Sequence, residues 1–301
     1  MSSSPKPAEP VWLTIFRLLR WDKPEGRLIL MIPALWAVFL AARGTPPIPL
    51  VGVIVLGTLA TSAAGCVIND LWDRDIDPKV KRTQNRPIAA RALSIKIGLI
   101  VALVAFGCAW VLSLYLNLLT FWLCVAAVPI IIGYPLAKRI FPIPQLVLAI
   151  AWGFAVLISW SAVSCNATAA ATPCFGTATW LLWGATVLWT LGFDIVYAMS
   201  DRDDDRRIGI KSGALFFGSY VSHAVGTFFA GTTLLLALLG RVMALSTVFW
   251  VSLVAAALVW GWQYYQLCQK TIPHRTYAQL FKQNVAIGFV LLMGMILGAR
   301  G

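Results

Sequence analysis

The 301-residue sequence predicts an all-α, multi-pass membrane bundle of about nine transmembrane helices. Three observations carry that expectation. Hydrophobic residues make up 59% of the chain against only 12 Asp and Glu, a composition of integral membrane proteins rather than of soluble domains. Apolar runs recur through almost the whole length, each near the ~20 residues that a helix needs to cross a bilayer. The charges also alternate with the runs as a membrane topology requires.

Residues 1–16 are expected to be a disordered to interfacial tail, with no cleavable signal peptide, and residues 17–301 a single transmembrane domain. Arg17-Leu18-Leu19-Arg20-Trp21-Asp22-Lys23-Pro24 has the basic, aromatic make-up of a segment lying at the membrane surface. Spans are expected at 28–42, 48–68, 93–115, 118–134, 143–163, 178–199, 214–239, 242–262 and 284–299, the first and last extending into their flanks. The second and third are separated by a charged loop at 70–92, the fourth and fifth by a link holding Lys138 and Arg139, and the sixth and seventh by a charged loop at 200–212. The loop at 164–177 is nearly free of charge. It holds Cys165 and Cys174, which can pair, and Asn166-Ala167-Thr168, a glycosylation sequon in a secretory setting. Cys66, Cys108 and Cys124 fall in or beside apolar spans, where a thiol packs as a small hydrophobe.

With the N-terminus inside, only Arg43, Arg241 and Arg300 of the 24 Lys and Arg fall on the outer side. That bias sets the count of nine and places the N-terminus in the cytoplasm, in a bacterial inner membrane. The net charge of +12 is therefore first a matter of topology. Nucleic acid is excluded as a partner, since the basic residues are spread over membrane loops without a recognition module.

All the acidic residues fall on the inner face, most of them in two clusters: Asn69-Asp70-Leu71-Trp72-Asp73-Arg74-Asp75-Ile76-Asp77 and Asp201-Arg202-Asp203-Asp204-Asp205. A carboxylate beside a bilayer is costly unless paired or metal-bound, so its default reading is functional. Asn69, Asp73 and Asp77 recur every four residues and share one helix face, and Pro78 stops that helix at about Asp77. Three side-chain oxygen groups at the negative end of a helix dipole call for a cation. Mg²⁺, which takes one or two carboxylates plus phosphate oxygens and water, fits this set; Zn²⁺ does not, for want of His or Cys. Asp70 and Asp75 point off the face, as support for it or as partners of Arg74. In the second cluster Asp201 and Asp205 are the metal candidates, and Tyr197 and Asp194 continue their stripe into the apolar span. Asp194 is expected to orient or deprotonate a substrate hydroxyl. Lys81, Arg82, Arg86, Lys138, Arg139 and Arg206 are candidates for phosphate oxygens. The acids gather at one face, whereas a transporter site lies nearer the bilayer midplane.

Asn69-Asp70-x-x-Asp73-x-x-x-Asp77 and Asp201-x-x-x-Asp205 resemble the two aspartate motifs of the UbiA superfamily of intramembrane prenyltransferases. Arg20-Trp21-Asp22-Lys23-Pro24-x-Gly26, Asp73-Arg74-Asp75-Ile76-Asp77 through Arg86-Pro87, Tyr134-Pro135-Leu136-x-Lys138-Arg139 and Gly209-Ile210-Lys211-Ser212 are similar to its 4-hydroxybenzoate polyprenyltransferases. The likeness runs from about residue 17 to 290. Glu25 and Arg27 depart from it, with charge where apolar or small residues are expected, and loop 164–177 is longer than usual. The resemblance implies a central cavity open sideways to lipid and a polyprenyl diphosphate held through Mg²⁺ between the motifs. It also implies transfer of the prenyl group to the ring of 4-hydroxybenzoate, ortho to its hydroxyl, in ubiquinone or plastoquinone biosynthesis. Asp73 and Asp201 then act with Asp194 in catalysis. Homogentisate, naphthoate, chlorophyllide and haem stay open as alternative acceptors, and an ion-coupled transporter as an alternative class.

Overall fold

A computed structural model describes residues 9–165 and 174–300; the sequon at 166–168 and the first eight residues lie outside them. The described residues form twelve α-helices joined by turns and loops, with no strand among them. In chain order these are α1 (Val11–Leu18), α2 (Glu25–Ala41), α3 (Ile48–Trp72), α4 (Ile95–Ser113), α5 (Leu118–Ile140), α6 (Pro144–Ser164), α7 (Thr177–Met199), α8 (Arg202–Ile208), α9 (Gly213–Phe216), α10 (Val221–Val242), α11 (Thr247–Leu267) and α12 (His274–Gly298). Eight are long and apolar enough to cross a membrane, and α2, with 17 residues, is a ninth long apolar helix. These nine match the expected spans, and the protein is an integral membrane protein. Helix α1 covers part of the expected tail, so helical structure starts at Val11 rather than after residue 16.

Local sequence sets many of the helix ends. Ser94 and Asn117 cap α4 and α5 by accepting from the backbone N–H of Ile97 and Thr120, each satisfying a donor that the first turn leaves free. Pro47, Pro273 and Ile143-Pro144 start α3, α12 and α6, where a missing N–H costs nothing. Gly209, at φ +79°, ends α8 in the left-handed conformation glycine takes readily.

Helix α7 is the spine of the bundle and packs against α6, α10, α12 and α2. Its Trp189 is fully buried and stacks on Trp36 of α2 with ring centroids 4.9 Å apart. Asn284 of α12 accepts the indole N–H groups of Trp189 and Trp260 at 2.9 and 3.0 Å and donates to Gln263 and to the Leu280 carbonyl. An amide whose bonding capacity is filled in this way joins α7, α11 and α12 without leaving a polar group bare in the bilayer. Cys165 and Cys174 are joined as a disulfide across the α6–α7 connection, Cα atoms 5.1 Å apart, at the end of the bundle opposite the acidic clusters.

Replacing Asn284 with Leu strands two buried indole donors. The variant is expected to lose about 1–3 kcal/mol of stability, read as a lower melting temperature in detergent micelles; an unchanged melting temperature would show that the network contributes nothing.

Candidate active site

Helix α3 stops at Trp72, five residues earlier than Pro78 alone would require, because side chains from elsewhere take over its end. The Arg139 guanidinium donates to the Trp72 carbonyl at 2.6 Å. The chain then turns, with the Ile76 and Asp77 N–H groups both bonded to the Asp73 carbonyl at 2.8 Å, and enters a 3₁₀ turn at Asp77–Lys79. Asn69, Asp73 and Asp77 thus do not share a face of one continuous helix. The turn nevertheless brings all three to one polar recess.

Asp70, Asp73 and Asp77 each meet a cation from outside the turn. Asp73 is bound by Lys138 at the end of α5. Asp77 pairs with Arg86 at 2.8 Å. Asp70, fully buried, pairs with Arg20 at 2.6 Å and with Arg86 at 3.2 Å, while Arg74 pairs with Asp75 instead. Arg20 itself sits at φ +58°, an uncommon conformation for a non-glycine residue that ends α1 within reach of Asp70. The resulting chain from Arg20 through Asp70 and Arg86 to Asp77 was not legible in the sequence, where Asp70 pointed away from the metal-binding face.

The second motif faces the first. Arg82 grips Asp201 through Nε at 2.9 Å and a terminal nitrogen at 2.5 Å, donates to the Tyr197 hydroxyl at 2.9 Å, and lies 4.6 Å over the Tyr197 ring. Beside it the Lys81 backbone N–H donates to Asp204 at 3.0 Å, and Arg207 donates to the Lys79 carbonyl at 3.0 Å. These contacts dock the 77–86 segment onto α8. Loss of solvent opposes the Arg82 charge, but Tyr197 and Asp201 outweigh it and hold the guanidinium above its ordinary pKa. Arg86 is likewise raised, burial being overcome by Asp70 and Asp77. Burial raises Asp73, with Lys138 pulling against it. Asp205 is pushed up to about 6, first by burial and then by the Asp201 charge.

Behind the recess, of about 230 Å³, lies a larger cavity of about 1320 Å³ walled by α2, α3, α4, α5, α6, α7 and α12. Typical small-molecule pockets run to roughly 300–1,000 Å³, so this one accepts more than a single ring. Its far part is apolar, with Val53, Leu103, Phe106 and Leu116 on its walls. Asn69, Arg82, Arg86, Tyr134, Asp194 and Tyr197 line both spaces and mark the junction.

Of the expected site residues, Asn69, Asp73, Asp77, Arg82, Arg86, Lys138, Asp194, Tyr197, Asp201 and Asp205 come together there. Lys81, Arg139 and Arg206 do not. Lys81 contributes its backbone to the docked segment, Arg139 is spent on the end of α3, and the Arg206 side chain is exposed on α8, away from both spaces. A basic residue in a short loop has several directions open to it, and only the packed helices choose among them. Among the described residues no three His, Cys, Asp or Glu side chains converge into a metal cage; the carboxylates are held apart by the cations between them.

The model of the UbiA prenyltransferase family matches residues 30–285. A Synechocystis protein named 4-hydroxybenzoate solanesyltransferase is 64% identical over 289 residues, 96% of each chain. Among solved structures, a UbiA homolog from Aeropyrum pernix superposes with a TM-score of 0.78 at 24% identity, covering 90% of this chain and 97% of its own. A UbiA homolog from Archaeoglobus fulgidus, bound to GPP and Mg²⁺, does so with a TM-score of 0.68 at 19% identity, covering 93% and 99%.

The Arg82 clamp should hold the 77–86 segment in place. In Arg82→Ala, amide hydrogen exchange across that segment is expected to quicken by roughly ten- to a hundredfold, the loss expected for hydrogen bonds to a charged group. Unchanged exchange would mean that the segment is held without it.

Proposed function

We propose that this chain, which belongs to the UbiA prenyltransferase family, transfers a polyprenyl group from its diphosphate to the ring of 4-hydroxybenzoate, ortho to the hydroxyl, in quinone biosynthesis. The observation that carries the reading is the junction: a polar recess holding both aspartate motifs opens into an apolar cavity large enough for an isoprenoid. A polyprenyl diphosphate has that shape, a polyanionic head on a long apolar tail. The 64% identical relative named for 4-hydroxybenzoate and a solanesyl group supports the acceptor and makes solanesyl diphosphate the first donor to try.

The recess fits Mg²⁺. Its donors are all oxygens, and the buried Asp73 Oδ1 has no hydrogen-bond partner among the described residues. Because no three carboxylates converge, the ion would need phosphate oxygens to complete its shell, which is how Mg²⁺ is commonly held. Asn69, Asp73 and Asp77 would hold Mg²⁺ on one side of the diphosphate, and Asp201 and Asp205 would hold a second ion on the other. When bound, the metal supplies Lewis-acid screening of the departing diphosphate. The A. fulgidus homolog, solved with GPP and Mg²⁺, supports this assignment.

The remaining work falls to the protein. Arg82, Arg86 and Lys138 exchange their carboxylate partners for diphosphate oxygens and balance its charge as the allylic C–O bond breaks. Trp152, Phe193 and Phe281 on the cavity wall keep water from the electron-poor prenyl carbon and present aromatic faces to it. Asp194 lines the junction. It accepts the hydrogen bond of the acceptor hydroxyl, which raises electron density at the ortho carbon that attacks; once the C–C bond has formed, that carbon gives up its ring proton to the released diphosphate and aromaticity returns.

The acidic, basic end of the bundle faces the cytoplasm in this reading, across a bacterial inner membrane. The Lys and Arg bias supports that orientation. The disulfide at the opposite end supports it independently, since disulfides persist on the oxidising side.

Purified protein in detergent should join 4-hydroxybenzoate to solanesyl diphosphate only with Mg²⁺ present. Asp73→Ala and Asp201→Ala should each lose at least about 100-fold in turnover, as expected when a charge-stabilising group is removed from such a site; wild-type rates in both would remove the motifs from the chemistry. The deprotonated Asp205 is the metal ligand, so the Mg²⁺ requirement should rise as pH falls through about 6. A requirement that is flat from pH 5 to 8 would take Asp205 out of the metal site.

A further inference from the structure

Among the described residues, Arg27 is the one cationic side chain on the cavity wall that is deeply buried and has no partner of its own. It lies in the first turn of α2 and is 2% exposed. Its Nε and both terminal nitrogens lack a hydrogen-bond partner among the described residues. All twelve acidic side chains fall within those residues, and none pairs with it; the neighbouring Glu25 is taken by Lys282 at 2.9 Å. Leaving a buried charge unpaired is among the more costly arrangements a fold can carry. An arginine placed there for packing alone would have been better as a methionine or leucine.

Its surroundings say what would pair with it. The Trp21 ring lies 4.2 Å from the guanidinium carbon and covers one face. That contact fixes the plane of the group and leaves its edge of N–H donors, a fork that matches a planar carboxylate with two parallel hydrogen bonds. Arg27 lines the large cavity but not the polar recess, where Arg82, Arg86 and Lys138 already face the diphosphate. Its anion is therefore a second one. Arg27, Cys66 and Asn69 line the same cavity, and on α3 Cys66 precedes Asn69 of the first motif by three residues, about 5 Å of helix rise. A single benzene ring spans such a gap, with an acid group at one end and a reacting carbon at the other.

We propose that Arg27 binds the carboxylate of the aromatic acceptor and so selects hydroxybenzoic acids over neutral phenols. The assignment rests on the acceptor reading above and adds to it the residue that reads the acid.

Prenyl transfer by the full-length protein, measured with 4-hydroxybenzoate and with the uncharged 4-hydroxybenzamide, tests it. Arg27→Gln should raise KM for 4-hydroxybenzoate by about 10- to 100-fold, the range for hydrogen bonds between charged groups. It should leave KM for solanesyl diphosphate and for the amide near wild type, so that the preference for acid over amide collapses. Arg27→Lys, which keeps the charge without the fork, should fall between the two and guards against a folding defect in the glutamine variant. If Arg27→Gln keeps the wild-type preference for acid over amide, Arg27 does not read the carboxylate. A fall in turnover shared by both acceptors and the donor, with a lowered melting temperature in both variants, would assign it a structural role instead. A wild-type protein that prenylates neither acceptor would overturn the acceptor reading, and this assignment with it.

Discussion

Carboxylates gathered at the edge of an apolar bundle must be given countercharge, and for Asp70, Asp73, Asp77 and Asp201 it comes from outside their own turn. Asp70 is met by Arg20 after α1, Asp73 by Lys138 of α5, Asp77 by Arg86 of the following loop, and Asp201 by Arg82. Removing one partner of such a buried pair leaves an uncompensated charge, which costs far more than the pair contributes. The pairs therefore tie α1, α3, α5, the 77–86 segment and α8 to one another at the polar end of the bundle. The same pairs prepare the site for an anion. A diphosphate arriving with cations of its own offers Arg82, Arg86 and Lys138 new partners and the aspartates new counterions, so charge balance is kept while the contacts are exchanged.

The division of the cavity follows from this electrostatic frame. Polar residues on α3, α7 and the 77–86 segment converge where the cations hold them, and beyond that point the walls revert to the apolar surface any membrane helix presents. Asp194 and Tyr197 stand at the boundary because the stripe from Asp201 runs back along α7 at four- and three-residue steps. Arg27 stands apart from the frame. Its charge is balanced neither by an aspartate nor by the solvent at the mouth, and a ligand with its own carboxylate resolves what the fold leaves open.

Much of this was legible in the sequence, and the remainder has a physical reason for being hidden. The nine long apolar helices follow from composition and length, and the pairing of the two motifs at one end follows from the alternation of charge across the membrane. Residues on a regular helix, such as Asp194 and Tyr197, were placed correctly by spacing alone. Spacing failed where tertiary contacts overrode it: Arg139 takes the Trp72 carbonyl and ends α3 early, so Asp73 and Asp77 reach the recess by a turn instead of a helical face. Asp70 was underrated because its partners, Arg20 and Arg86, lie 50 residues before it and 16 after it, beyond any local pattern. Arg27 was visible only as a charge out of place, and its meaning required knowing that no acid in the fold pairs with it.

The most direct test of a single site shared by both motifs is a crystal structure with Mn²⁺ in place of Mg²⁺ and a non-reactive diphosphate analogue. Anomalous scattering should place manganese at about 2.0–2.3 Å from carboxylate oxygens of Asp73 or Asp77 and also of Asp201 or Asp205, with analogue oxygens between. Manganese bound by one motif alone, or a diphosphate lying outside the recess, would contradict it.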